Sequence, residues 1–163
     1  MEKHGEIIFK KAASAEEFAD AKVLFEQYAA SLDIDLCFQG FADEVKTVSI
    51  QYNMPQGALL LAYVNEKAVG CAAIRRLDDD SAELKRMFVQ PEYRQYKLGR
   101  KLLELAIAVT GELNYKNIKL DTLPTMLPAL NLYRSVGFYE IPAYRFNPVA
   151  GAVYMEKKLG TDQ

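Results

Sequence analysis

Residues 83–100 change their hydrophobic period midway, and that change leaves few folds open. From 82 to 90 the residues are mostly apolar or β-compatible, Pro91 halts any strand ladder, and from Leu98 the apolar positions recur as Leu98, Leu102, Leu105, Val109 and Leu113. Spacings of four, three, four and four residues mark one helix face. The order is strand, short loop, helix start. The loop and first turn carry Arg94, Lys97, Arg100 and Lys101, with Gly99 among them. Unpaired amides at a helix start, the positive end of its dipole and four cations make an anion site. A glycine there lets the backbone approach a phosphate closely.

The rest of the chain is compatible with one compact domain over residues 1–163, since half of its residues are apolar and no repeat, low-complexity run or linker divides it. A net charge of −2 leaves the 94–101 patch as the sole support for a nucleic-acid reading, and the patch suits a compact polyphosphate better than a duplex. No nucleic-acid partner is expected. Residues 1–11 lack the apolar core of a signal peptide, and the longest apolar run, Ala58 to Val64, is too short to span a bilayer. A soluble, cytoplasmic protein without a membrane partner is the expectation. Cys37 and Cys71 fit no zinc or redox spacing, and His4 is the single histidine, so no metal site and no serine-histidine triad is expected. Cys71, amid small apolar residues, reads as core.

In chain order, 6–10 reads as a first strand, and Ser14 with Glu17 forms a capping box opening a helix over about 15–30. Phe41 to Ile50 suggests a short second helix. The runs 58–64, 68–77 and 82–89 suggest an antiparallel meander. Within the last run Glu83, Lys85, Met87 and Val89 share one parity that begins polar and ends apolar, a phase change that a β-bulge accounts for. After the long helix, Asn117 to Thr122 alternates as a fifth strand, a short helix opens near Pro124 and ends at Gly137, and 138–141 and 153–159 supply two more strands. The connector from Pro142 to Ala152 is long enough to be functional.

Arg94-x-x-Lys97-x-Gly99, after a strand ending Val89-x-Pro91, resembles the pyrophosphate loop of the GNAT superfamily, which moves acyl groups from acyl-coenzyme A to amines. Leu132-Tyr133-Arg134-Ser135-Val136-Gly137-Phe138 resembles that superfamily's L-Y-x-x-x-G-F element. Two such motifs in order, separated by a helix and a strand, are far more specific than either alone. The resemblance covers roughly residues 58 to 159. It implies an α/β (α+β) fold: a mixed, mostly antiparallel seven-stranded sheet with about four helices, split between strands four and five to admit the pantetheine arm of acetyl-CoA. It also implies a cofactor-binding set of Met87, Phe88 and Val89 on the bulged strand with Arg94, Gln95, Tyr96, Lys97, Leu98, Gly99 and Arg100 in the loop and helix start.

Acyl transfer to an amine needs a neutral nucleophile, a stabilised oxyanion and a proton for the leaving thiolate. An alkylammonium is neutral in only about one molecule in 2,500 at pH 7, a handicap of roughly 4.6 kcal/mol. Glu83 stands eleven residues before Arg94, the offset of the catalytic glutamate in histone-acetylating members, which implies a general base. Its other reading is a solvated carboxylate on a strand edge. The bulged segment's amides answer the second need. Tyr133 occupies the family's general-acid position, although its helical spacing also fits a core tyrosine. Two departures stand out. Lys97 replaces the usual first glycine of the loop, and Met126 stands seven residues before Tyr133 where many members place a cofactor-contacting asparagine.

The leading expectation is direct transfer in a ternary complex to a primary amine, with a small molecule favoured as acceptor. Asp33, Asp35, Asp43, Glu44 and Asp121 near Phe38, Phe41, Tyr52 and Tyr144 would suit a cationic amine, or they form an ordinary solvated surface. Alternatives are a non-catalytic acyl-CoA-binding module and an unrelated phosphate-binding protein. A homodimer through the C-terminal strands or the long helix is common in similar folds.

Overall fold

The computed structural model describes residues 6–32 and 41–160. Its strands are β1 (Ile7–Lys11), β2 (Ala58–Val64), β3 (Lys67–Arg76), β4 (Ser81–Val89), β5 (Asn117–Thr122), β6 (Tyr139–Ile141) and β7 (Val153–Lys158). The helices are α1 (Ala15–Ser31), α2 (Phe41–Lys46), α3 (Val48–Gln51), α4 (Leu98–Glu112) and α5 (Leu127–Ser135), with a 3-10 turn at Pro91–Tyr96. The single second helix expected over 41–50 is thus two pieces divided at Thr47, whose hydroxyl donates to the Asp43 carbonyl at 2.8 Å. Such back-bonding competes with helix propagation. The capping box appears as read: Ser14 Oγ accepts from the Glu17 amide, and Glu17 Oε1 accepts from the Ser14 amide.

One seven-stranded sheet runs in the order β1-β2-β3-β4-β5-β7-β6. All neighbouring pairs are antiparallel except β4 with β5. Each face carries its own core, because alternate residues of a strand point to opposite sides. Leu60, Ala62, Ile74 and Leu84 meet Leu98, Leu102 and Ala106 of α4 on one face. Leu59, Leu61, Cys71 and Ala73 meet Phe18, Ala21, Leu24 and Phe25 of α1 on the other. That double cover explains why β2 is buried along its whole length instead of alternating. On α4 the buried stripe is Leu98, Leu102, Leu103, Ala106, Val109 and Thr110. Leu105 and Leu113, counted in the expected face, lie at its partly buried margin. Among the described residues no helix is long and apolar enough to cross a membrane.

The bulge expected in β4 is present. Lys85 pairs with Ala73 and Phe88 with Cys71, so Arg86 and Met87 together oppose one residue. Arg86 takes a positive φ of 55°, a conformation costly for a side chain with a β-carbon. The bulge inverts the strand's phase. Ala82 and Leu84 precede it in the α4-side core, and after it the odd-numbered Val89 occupies that core while Phe88 faces α1.

A buried ion pair holds the bulge in place. Glu44 of α2 takes Arg86 in a fork, Nε to Oε2 at 2.9 Å and Nη2 to Oε1 at 2.6 Å. Tyr52 adds its hydroxyl to Oε2 at 2.8 Å, and the guanidinium lies over the Phe41 ring. Burial alone would raise the Glu44 pKa, but the bonds from Arg86 bring it below the ordinary carboxylate value.

Candidate active site

The two parallel strands are joined only at their starts. Ser81, Ala82 and Glu83 pair with Asn117, Ile118 and Lys119, and beyond them β4 and β5 part. The bulge at Arg86 turns β4 away, which opens a cleft of about 640 Å3. Met87, Phe88 and Val89 form one wall, Met126, Pro128, Ala129 and Leu132 the opposite one, and Arg94, Lys97, Gly99 and Arg100 the mouth. Apolar sides with cations at one end suit a long ligand that ends in phosphates.

The mouth fits such a group on three counts. No side chain caps the start of α4, so its first amides are left for a ligand. Gly99 has space around it: a β-carbon there would come no closer than 4.0 Å to its nearest neighbour, Val89. Packing therefore does not require glycine, whereas close approach of a phosphate would. Lys97 holds a left-handed conformation, φ 60° and ψ 28°, as it ends the 3-10 turn and begins α4. This geometry gives a reason for glycine at that position elsewhere. Here the lysine side chain lines the cleft.

Other members of the expected binding set behave differently. Arg94 lines the mouth but directs Nε to the Val89 carbonyl at 2.9 Å, bracing the loop against β4. Arg100 donates to Ser135 Oγ at 3.2 Å, tying α4 to α5. Leu98 is core, so any contribution to binding comes from its amide. Gln95 and Tyr96 do not line the cleft; Gln95 is exposed and Tyr96 packs partly against the core.

A second chamber, about 80 Å3, adjoins the cleft, and Tyr28, Met87, Met126 and Ala129 line both. Its wall adds Lys85, Asp121, Tyr133 and Asn147. Tyr133 is held by the helix end it belongs to. The Phe138 amide donates to the Tyr133 carbonyl and the Gly137 amide to the Arg134 carbonyl, both at 3.1 Å, with Gly137 at φ 105°. This is a Schellman cap, and it brings Phe138 onto the Tyr133 ring with centroids 5.7 Å apart. Burial, with Tyr28 second, pushes the Tyr133 pKa well above the ordinary phenol value. The hydroxyl thus stays protonated at ordinary pH and is a weaker acid than a free phenol.

Glu83 is neither solvated nor in either cavity. Its side chain is fully buried. Oε1 accepts from Arg75 Nε at 3.0 Å, and Oε2 accepts from the Tyr144 hydroxyl at 2.7 Å and pairs with Arg145. Burial would raise its pKa; Lys85, Arg145 and Arg75 outweigh that and lower it. The connector between β6 and β7 therefore folds back on the sheet, and Asn147 also donates to Asp121 Oδ2 at 3.1 Å.

Of the acids and aromatics expected near the acceptor, Asp121 lines the small chamber. Glu44 is consumed by Arg86, Tyr52 is fully buried, and Asp33, Asp35 and Phe38 lie outside the described residues, as do His4 and Cys37. Cys71 is a buried free thiol whose S–H donates to the Arg86 carbonyl at 3.2 Å. Among the described residues no group of acids, histidines or cysteines is arranged to hold a metal. Lys85 was missed by sequence reasoning, although its parity with Glu83 placed it on the same face.

Comparison with known proteins agrees with this geometry. The profile of the Acetyltransferase (GNAT) family matches residues 27–138. An uncharacterised N-acetyltransferase from Schizosaccharomyces pombe is 34% identical, with 98% of this chain and 99% of the relative covered. One from Dictyostelium discoideum is 26% identical, with 94% and 100% covered. The crystal structure of an acetyltransferase from Streptococcus agalactiae superposes with a TM-score of 0.77 at 28% identity, covering 94% of this chain and 98% of that one. With its split sheet, bulged fourth strand and uncapped α4, this chain belongs to the GNAT family of acetyltransferases.

Proposed function

We propose that the protein transfers an acetyl group from acetyl-CoA to the primary amine of a small molecule, by direct attack within a ternary complex. The observation that carries this reading is the junction of the two cavities: a long cleft with a cationic mouth adjoins a small chamber whose wall includes Tyr133 and Asp121. Acetyl-CoA, when bound, supplies the activated acetyl thioester. The α4 amides and Lys97 would hold its phosphates, with Arg100 beside them at the mouth, while Met87 to Val89 would offer main-chain groups along the arm.

In the reaction a nitrogen–carbon bond forms and the carbon–sulfur bond breaks, so one proton leaves nitrogen and one reaches sulfur. Tyr133 supplies the second from its hydroxyl. For the first, Glu83 already has both oxygens engaged by cations and a hydroxyl, which favours a positioning role: it holds Arg75 and the connector residues Tyr144 and Arg145 against β4. Asp121, which shares the chamber wall with Tyr133, is the carboxylate we assign to receive the amine's proton, directly or through water. The small chamber and the folded-back connector leave little room for a large acceptor.

The test is thiol release from acetyl-CoA by purified protein across a panel of amines. Amine-dependent release supports the transferase. Tight acetyl-CoA binding with no release for any small amine or peptide contradicts it.

A further inference from the structure

The position of the thioester sulfur decides where the acyl group goes. A proton passes from the Tyr133 hydroxyl to the leaving sulfur only within hydrogen-bond reach, and Tyr133 belongs to the wall of the small chamber. The thioester must therefore sit where the cleft opens into that chamber, with the acyl group beyond the sulfur and inside it. Tyr28, Met87, Met126 and Ala129 line both spaces and so surround this passage. A chamber of about 80 Å3 holds roughly three groups of water size. The methyl and carbonyl of an acetyl group and the attacking nitrogen account for all of them.

Met126 is the residue placed to enforce that limit. It stands at the N-cap of α5 and makes no side-chain cap hydrogen bond, although a serine, threonine, asparagine or aspartate there would satisfy a free amide. Helix formation gives no reason for methionine at this position. Its side chain lines the passage instead, on the wall opposite Met87, which follows the β4 bulge. Methionine is ordinarily adaptable, but this one is tethered: the Thr122 hydroxyl donates to Sδ at 3.7 Å. Met126, Ala129 and Tyr133 keep helical spacing, so one face of α5 carries the size limit and the proton donor together. Resting on the acetyltransferase reading above, we infer that Met126 is a specificity-determining residue for the acyl donor: with Met87 opposite, it admits acetyl-CoA and excludes butyryl and longer chains.

Donors of increasing length test the inference. Calorimetry measures the dissociation constants of acetyl-, butyryl- and hexanoyl-CoA, and thiol release compares the same donors across the amine panel. Butyryl-CoA should bind about tenfold more weakly than acetyl-CoA, the scale of surplus methylenes in a closed site, and hexanoyl-CoA more weakly still. In a site with room to spare the order reverses, since each buried methylene favours binding. Met126→Ser removes the bulk and supplies a helix cap, and with Met126→Ala it should narrow the acetyl-to-butyryl ratio to about threefold or less, in binding and in kcat/KM. Met126→Leu, of similar volume, should keep the wild-type ratio. Melting curves like wild type's keep these comparisons valid, and discrimination by the wild-type protein tests the size limit without any variant. Wild-type protein that binds the longer donors as tightly as acetyl-CoA overturns the inference while the transferase reading stands. A wild-type ratio that survives both small substitutions overturns the role of Met126. Discrimination in binding that both substitutions abolish, with no thiol release for any amine, supports the size limit and overturns the transferase reading alone.

Discussion

The Phe138 amide donates to the carbonyl of Tyr133 at 3.1 Å while the two rings pack 5.7 Å apart, so the residue that ends α5 also fixes the proposed acid. The spacing L-Y-x-x-x-G-F thereby acquires a physical meaning. Tyrosine precedes the cap, glycine supplies the positive φ that the cap needs, and phenylalanine closes the hydrophobic contact.

Gly137→Ala should accordingly cost about 1–2 kcal/mol, because a β-carbon is disfavoured at φ 105°. The nearest atoms it would meet belong to the flexible end of Lys157. Chemical denaturation measures the stability, and kcat should fall with KM for acetyl-CoA little changed, since the effect acts through Tyr133.

The Glu44–Arg86 pair gives a stability prediction. Glu44→Gln leaves a buried guanidinium without its counter-charge and should cost about 3–5 kcal/mol in urea unfolding. Both Glu44 and Glu83 have folded pKa values below the ordinary 4.5. Their contribution is therefore complete above pH 4.5 and lost as pH falls through the folded values. Wild-type stability should decline on the acid side, and Glu44→Gln should flatten that decline from a lower starting point.

At the mouth of the cleft, stability and binding should move in opposite directions. Gly99→Ala adds a β-carbon that meets nothing nearer than 4.0 Å within a helix. It should raise stability by about 0.5–1 kcal/mol, and calorimetry should find acetyl-CoA binding weakened by about tenfold or more.

Lys97→Gly relieves a left-handed lysine and should change stability by less than about 1 kcal/mol, in the favourable direction. Removing a cation from the mouth should raise KM for acetyl-CoA and reduce its dependence on salt.

Local chemistry was legible in the sequence, and partners distant along the chain were not. The strands from β2 to β7 fall where alternation and turn residues put them, and the bulge is visible as the parity break between Lys85 and Val89. The left-handed state of Lys97 is not, since lysine carries no signal for it. Nor could Glu83 be told from a solvated acid, because Tyr144 reaches it from 61 residues away. Glu44 likewise finds Arg86 across 42 residues. A charge reads as exposed until the fold supplies its counter-ion.

The most direct test of the account is Tyr133→Phe, measured by thiol release beside acetyl-CoA binding. The ring and its Phe138 contact survive the change, so the fold and the dissociation constant for acetyl-CoA should be unaltered while kcat falls by about 10²–10⁴. A variant with wild-type kcat would contradict the assignment of Tyr133 as the proton donor.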